Sequence, residues 1–447
     1  MLGYLLLTIA LVLFFSNKYR YLSFFIYLCF LFDGFCVLKD SVLGCKNVDM
    51  ALIYTAFLLP ILLIQNKMKF PRGWIRIWFI AFIIFFLLCI FYSLCHYGFS
   101  LYQAIQGGRY FILILSLLIF LQIRPPEIQK VFTLLMIVTL VTSLLYIAQI
   151  IVGRPLMPYV AEPKIDRATG LVRMYNYPPL LSLFLCISFI VPKYFGKFRY
   201  VCQIVFLVTL LLTLGRNNIL STLMILILAH ILQGKGGKLA KTIIIGCIII
   251  LPFLDTITAR FEKGGETDED IETILAQGYT SDYEGEGGTL TYRFAWVYER
   301  AYYLNTRPLG EKVFGLGLIS DSQPIVHKMY NFSTGIWREE LNDRTQLTTP
   351  DISYGNLLSR LGYVGMAIYI LFALSLTVYF FKRRKDNAWI TICSAQTIII
   401  YIAGLTGSGF SNPATFAIYF MAIAYCINKN KYTFIKNHNT RYLLLPE

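Results

Sequence analysis

Arginine is the residue type whose placement in this sequence asks for chemistry. Residues 200–233 are apolar except for Gly215-Arg216-Asn217-Asn218 in their middle. An arginine at membrane depth costs about 3 kcal/mol or more, so it marks a functional site by default. The competing reading is a hairpin turn whose guanidinium snorkels to the headgroups. Arg109, and Arg167 and Arg173 in the stretch 166–178, fall in other connections on the same expected side. Guanidinium holds phosphate in a planar, bidentate way that ammonium cannot copy. Several arginines at one surface point to a lipid-linked phosphate or pyrophosphate, although any one of these three alone reads equally well as a headgroup contact.

Two further groups belong to a long acidic segment. Residues 289–304 read as a helix on which Arg293, Trp296, Val297 and Arg300 share a face at i, i+3, i+4 and i+7. That face suits a sugar-phosphate, or else Phe294, Trp296 and Tyr302 dock the segment on the membrane domain. Thr349-Pro350-Asp351 reads as a helix start with Thr349 as N-cap and Pro350 at N1. Asp351 is then either a carboxylate complementing the helix dipole or a base for a sugar hydroxyl. Asp268-Glu269-Asp270 has the DxD form that binds metal in nucleotide-sugar transferases, but a solvated charge run explains it as well in so acidic a stretch. Four histidines without ligand spacing give no metal site, and no cofactor is expected.

The elements that must hold these residues follow from composition. The 447 residues are 57% hydrophobic and only 15% charged, with mean hydropathy +0.62. A soluble enzyme, a nucleic-acid-binding domain and a disulfide-stapled secreted protein are excluded; Cys36 and Cys45 are the one pair placed to join. Apolar runs fall at 2–15, 21–38, 50–64, 75–95, 109–122, 131–153, 178–192, 200–214, 219–233, 242–255, 352–381, 388–406 and 413–427. As one helix, residues 200–233 would reach about 50 Å, too long for a core of about 30 Å, so two spans hinge on Gly215.

Net charge is +15, yet residues 256–351 hold 16 of the 25 acidic and 9 of the 40 basic residues. Every second connection is short and basic, from Lys18 and Arg20 to Lys382-Arg383-Arg384-Lys385, and is therefore expected to be cytoplasmic. Membrane lipids are the partners of those turns, and nucleic acid is not. The expectation is an all-α polytopic membrane protein with 12 or 13 transmembrane helices, N-terminus outside. Its parts are membrane helices over 1–255, a large periplasmic loop over 256–351, three last helices over 352–428 and a cytoplasmic tail over 429–447.

The order of features resembles the O-antigen polymerase/ligase superfamily, the Wzy-type polymerases and their ligase relatives. The residues that carry it run from Arg167 to Pro178, then Gly215-Arg216, Arg293-Phe-Ala-Trp296, Arg307-Pro-Leu-Gly…Phe-Gly-Leu-Gly317, and a helix with Tyr354 and Gly362-x-x-Gly365. The resemblance covers residues 160–380 and implies a GT-C-like fold. It implies inverting, metal-independent glycosyl transfer on undecaprenyl-diphosphate-linked oligosaccharides at the periplasmic face of a bacterial inner membrane, with a chain-length regulator as an optional partner. Arg216 matches the family's hairpin arginine and Arg293 its loop arginine. The ligases open the helix after the loop with His-Asn-x-Tyr; here Asp351, Ile352 and Tyr354 occupy those places. The missing histidine favours a polymerase with Arg216, Arg293 and Asp351 in catalytic roles. Arg109, Arg167, Arg173, Trp296, Arg300 and Tyr354 are then the expected substrate contacts. A ligase, or a flippase for lipid-linked oligosaccharide, stays open; a flippase would bury polar groups along several helices, for which Asp33 is the clearest candidate.

Overall fold

Lipid offers no hydrogen bonds, so an apolar run can cross it only by satisfying its own backbone as a helix. A computed structural model describes residues 2–38, 41–42, 45–157, 164–165, 172–234, 289–335, 337–338 and 343–432. In order, its N-terminal helices are α1 (Leu2–Phe14), α2 (Arg20–Leu31), α3 (Asn47–Ile64), α4 (Trp74–Cys95), α5 (Leu101–Ile112), α6 (Ser116–Phe120), α7 (Pro125–Val152), α8 (Leu181–Ile190), α9 (Arg199–Leu212) and α10 (Arg216–Leu232). The later ones are α11 (Thr289–Thr306), α12 (Leu309–Phe314), α13 (Pro324–Met329), α14 (Ser353–Lys382), α15 (Ala388–Ala403) and α16 (Ala417–Tyr432). The strands among the described residues are three antiparallel pairs of two residues each. Six helical stretches are long and apolar enough to cross a membrane, and five shorter apolar helices accompany them. This is an all-α membrane protein. The run 242–255, Arg167 and Asp268-Glu269-Asp270 lie outside the described residues.

Apolar helices in lipid gain little from hydrophobic burial against each other, so packing and hydrogen bonds hold them. Ser23 Oγ donates to Ala10 O at 2.6 Å and meets Tyr54 Oη at 2.6 Å, joining α1, α2 and α3. The Tyr27 and Tyr54 rings stack at 4.5 Å beside them. One end of the bundle is tied by charge: Arg20 of α2 and Arg124 before α7 both hold Glu127, at 3.0 and 2.6 Å. At that same end Lys69 donates to Leu121 O at 3.2 Å, and Asn428 of α16 donates to Ile123 O at 2.8 Å. Residues from several of the basic connections thus meet, and we call this the basic end. Residues 289–335 of the acidic segment and residues 172–180 belong to the opposite, loop end.

Three expectations about helix ends are corrected. Helix α2 stops at Leu31 rather than near 38, because residues 33–36 all take left-handed φ values (53, 64, 53 and 58°). Asp33 is therefore exposed on that turn and not in the apolar interior. Helix α5 starts eight residues earlier than the apolar run, with Ser100 and Gln103 forming a capping box, so Arg109 sits inside a helix rather than before one. The proposed Cys36–Cys45 pair is two free thiols.

The glycines of the Arg-Pro-Leu-Gly…Phe-Gly-Leu-Gly stretch serve a backbone crossing. Residues 313–317 pass through a break in α14 at Gly362, which has φ +65° and ψ −172°. Leu316 N donates to Ser359 O at 2.7 Å across the contact. A Cβ on Gly315 would lie 2.7 Å from the Arg360 carbonyl carbon and 2.7 Å from Gly362 N, so neither chain can carry a side chain there. Gly315→Ala should cost about 2 kcal/mol or more and lower the unfolding midpoint in detergent by several degrees. Gly196→Ala, at φ 55° and ψ −127°, likewise in a region L residues avoid but facing open space, carries the dihedral cost alone. Equal midpoints for the two variants would count against the crossing as a stabilising contact.

Candidate functional site

Two helices begin at the loop end beside one irregular turn. Between α15 and α16 the chain runs through Gly404–Gly407 and two 3-10 turns, Gly409–Ser411 and Pro413–Phe416, with Phe410 and Phe416 only 1% exposed. Its aromatic residues are packed inward, whereas Leu405 and Gly409 are exposed. The start of α14 is bound to it: Ser353 N donates to Gly404 O (2.9 Å) and Ser353 Oγ to Gly407 O (2.6 Å). The start of α10 reaches it from the other side, where Asn217 Nδ2 donates to Thr406 O at 3.4 Å. Helix N-termini concentrate unsatisfied N–H groups and positive potential.

Arg216 occupies the first position of α10, behind Gly215 as an N-cap that offers no side-chain bond. A cation there opposes the helix dipole, which favours an anion at this end. The half-buried guanidinium and the helix terminus together therefore attract negative charge to one place. The turn leading to it is strained, with Leu214 at φ 50°. Arg173 comes from the neighbouring hairpin: its guanidinium lies 4.8 Å over the Tyr175 ring, and its buried Nε has no hydrogen-bond partner. Tyr146 fixes that hairpin against the end of α9, donating to Met174 O at 3.0 Å and lying 3.5 Å from Leu212 O.

Asp351 precedes α14 without capping it. The helix starts at Ser353 with Ile352 as N-cap, so the expected start at Thr349-Pro350 is corrected. Thr349 is held instead by Asn356, giving its N–H to Oδ1 (2.8 Å) and accepting from Nδ2 (2.7 Å). The half-buried Asp351 carboxylate accepts one side-chain hydrogen bond, from Thr349 Oγ1 at 3.3 Å. Tyr292 of α11 stands close by: burial pushes its phenol up to about 12, Arg300 opposing and Asp351 adding to the shift. Arg293, next to it, is half-buried with an Nε that has no partner.

The rest of the expected face on α11 points inward. Arg300 is fully buried between the Trp296 ring (3.9 Å) and the Phe332 ring (4.4 Å). It donates to Glu299 (2.8 Å), to Thr334 Oγ1 and O (both 2.6 Å) and to Gln346 O (3.0 Å). Trp296 is equally buried, flat against Gly355 of α14. The substrate contact expected of both is thus corrected to the organisation and docking of the loop. Tyr354 donates to Tyr401 O at 2.9 Å and ties α14 to α15. Arg109 is paired with Asp49 of α3 at 3.3 Å. One arginine was overlooked. Arg360, 8% exposed, donates to Gly107 O and Ile319 O, and its Nε has no partner. The signal was a single charge between Leu358 and Leu361 in an apolar run.

Loop and membrane helices are clamped by Glu311. Arg307 holds its carboxylate through Nε (2.9 Å) and NH2 (3.0 Å), and His96 Nε2 at the end of α4 lies 3.3 Å from it. Burial works to raise the Glu311 carboxyl, but the bonds from Arg307 and His96 outweigh it and hold the group below the ordinary glutamate value. The contribution is therefore complete above the unfolded value and is lost as pH falls through the lowered one. The protection of residues 307–319 against hydrogen exchange, taken relative to the intrinsic rate at each pH, should be high at neutral pH and fall below about pH 4. Glu311→Gln should lower that protection already at neutral pH, by about 1–2 kcal/mol, and flatten the acid response. Exchange insensitive to both would remove the clamp. Compared with family models and with curated proteins, the chain matches none of either.

Proposed function

We propose that the protein is a membrane glycosyltransferase that polymerises lipid-diphosphate-linked oligosaccharide units, as the polymerase branch of the O-antigen superfamily does. The observation that carries this reading is the meeting of α10, with Arg216 at its start, and α14, with Asp351 just before it, on the one turn at 404–411. Such a place favours a polyanion beside a carboxylate. In the proposed reaction an acceptor sugar hydroxyl attacks the anomeric carbon of the donor. The bond from that carbon to the pyrophosphate oxygen breaks, and the electron pair leaves with the lipid diphosphate. Arg216, Arg293 and the first N–H groups of α10 offset the charge that develops there, a term worth about 3 kcal/mol per donor in oxyanion sites. Asp351 takes the hydroxyl proton. In this reading Arg173 holds a second phosphate oxygen. With the basic end in the cytoplasm of a bacterial inner membrane, the site faces the periplasm, where a chain-length regulator would act on the product.

The test is purified protein in nanodiscs with one undecaprenyl-diphosphate-linked repeat unit and no added metal, analysed by gel. A ladder is expected. Arg216→Ala and Arg293→Ala should each lower chain growth about 100-fold or more without loss of protein from the membrane, and Asp351→Asn should be severely impaired. Normal ladders from both arginine variants would end their assigned roles. Transfer only to a lipid A core would make the protein a ligase, and no transfer to either acceptor would remove the enzyme reading.

A further inference from the structure

A second anion-attracting place lies at the opposite, basic end, outside the reaction proposed above. There the start of α4 and the ends of α14 and α16 enclose a cleft of about 150 Å³, lined among others by Arg72, Arg383, Tyr379, Ile75, Ile423 and Ile427. Three features of its mouth favour negative charge. Arg72 and Arg383 both line it, and Arg383 is held 4.8 Å over the Tyr379 ring, which orients the guanidinium. Helix α4 starts here with Gly73 as an N-cap that makes no side-chain bond and with no acid in its first turn, leaving first-turn N–H groups for an anion. The Tyr379 hydroxyl is buried beside Cys426, which also lines the cleft, and offers a proton to a phosphate oxygen there. Asp386, the acid nearest in sequence to Arg383, does not line the cleft.

The floor is apolar, formed by the three isoleucines. Inorganic phosphate would satisfy the mouth and leave that floor wet. The volume is also below the roughly 300 Å³ of ordinary small-molecule pockets, which suits a headgroup whose chains stay in the bilayer. We propose that this cleft binds an anionic phospholipid, its phosphate between Arg72 and Arg383 and the first part of an acyl chain along Ile75 and Ile427. The lipid would bridge α4, α14 and α16 where they emerge from the membrane.

Native mass spectrometry of the detergent-purified chain, titrated with phosphatidylglycerol or phosphatidylcholine, tests this. Phosphatidylglycerol should bind the wild type in preference to phosphatidylcholine. Arg72→Gln with Arg383→Gln should weaken it about tenfold or more, with inorganic phosphate unable to displace it. Lys193→Gln with Lys197→Gln removes the same charge from another basic connection and should leave affinity unchanged. Unchanged affinity in the arginine double variant, equal loss in the lysine double variant, or displacement by phosphate would each overturn the site. Should the double variant not remain monodisperse, Tyr379→Phe and Arg383→Gln singly serve instead, and unchanged affinity in both overturns the proposal equally.

Discussion

The arrangement at the loop end depends on two backbones touching. Residues 313–317 lie in the break of α14 at Gly362, and no side chain fits between them. This contact sets where the first part of α14, residues 353–361, points relative to the span below it. It also sets how deep the loop sits: Leu316 bonds Ser359, Gly107 of α5 abuts Ile319, and Arg360 bonds the carbonyls of both Gly107 and Ile319. A buried guanidinium without a carboxylate partner is costly. Here it ties α14 to two other segments, through Gly107 O within α5 and Ile319 O in the loop.

The loop's arginines divide by what surrounds them, although they share a type. Arg300 and Arg307 lie against carboxylates, Glu299 and Glu311. Arg300 is moreover enclosed by two aromatic rings, so its charge is committed to folding the loop. Arg293 sits two turns earlier on the same helix, beyond the reach of Glu299, with an Nε that has no partner. The difference follows from helix geometry: the face that carries Trp296 and Arg300 turns into the loop core, and the turn holding Tyr292 and Arg293 extends past it towards Asp351. Among the described residues Arg293 makes no ion pair with a carboxylate, which is why the proposed reaction assigns it to the pyrophosphate.

Much of this could be read in the sequence. The apolar runs gave helices because lipid leaves no other local solution, and the break at Gly215-Arg216 was legible from length alone. The helix on residues 289–304 was legible from spacing, but its direction was not: periodicity shows that Arg293, Trp296 and Arg300 share a face and cannot show which side the core lies on. The start of α14 was misread because Thr-Pro-Asp is a strong local signal. Asn356, seven residues away, competes for the Thr349 backbone groups and moves the helix start to Ser353. Gly315 and Gly362 looked like loose turns because a close crossing between residues far apart leaves no local pattern beyond the glycines themselves. Arg360 was visible as a charge in an apolar run, and only its carbonyl partners, from distant segments, explain its presence.

The proposed site thus draws on two sources. Arg216, Asn217 and the 404–411 turn belong to helices packed within the bundle, whereas Arg293 is brought in by a loop helix. That helix is anchored by Trp296 on Gly355 and, further along the chain, by the crossing at Gly362 and the Glu311 clamp. A loosened loop would leave the α10 and α14 helix starts in place and remove one arginine from the set.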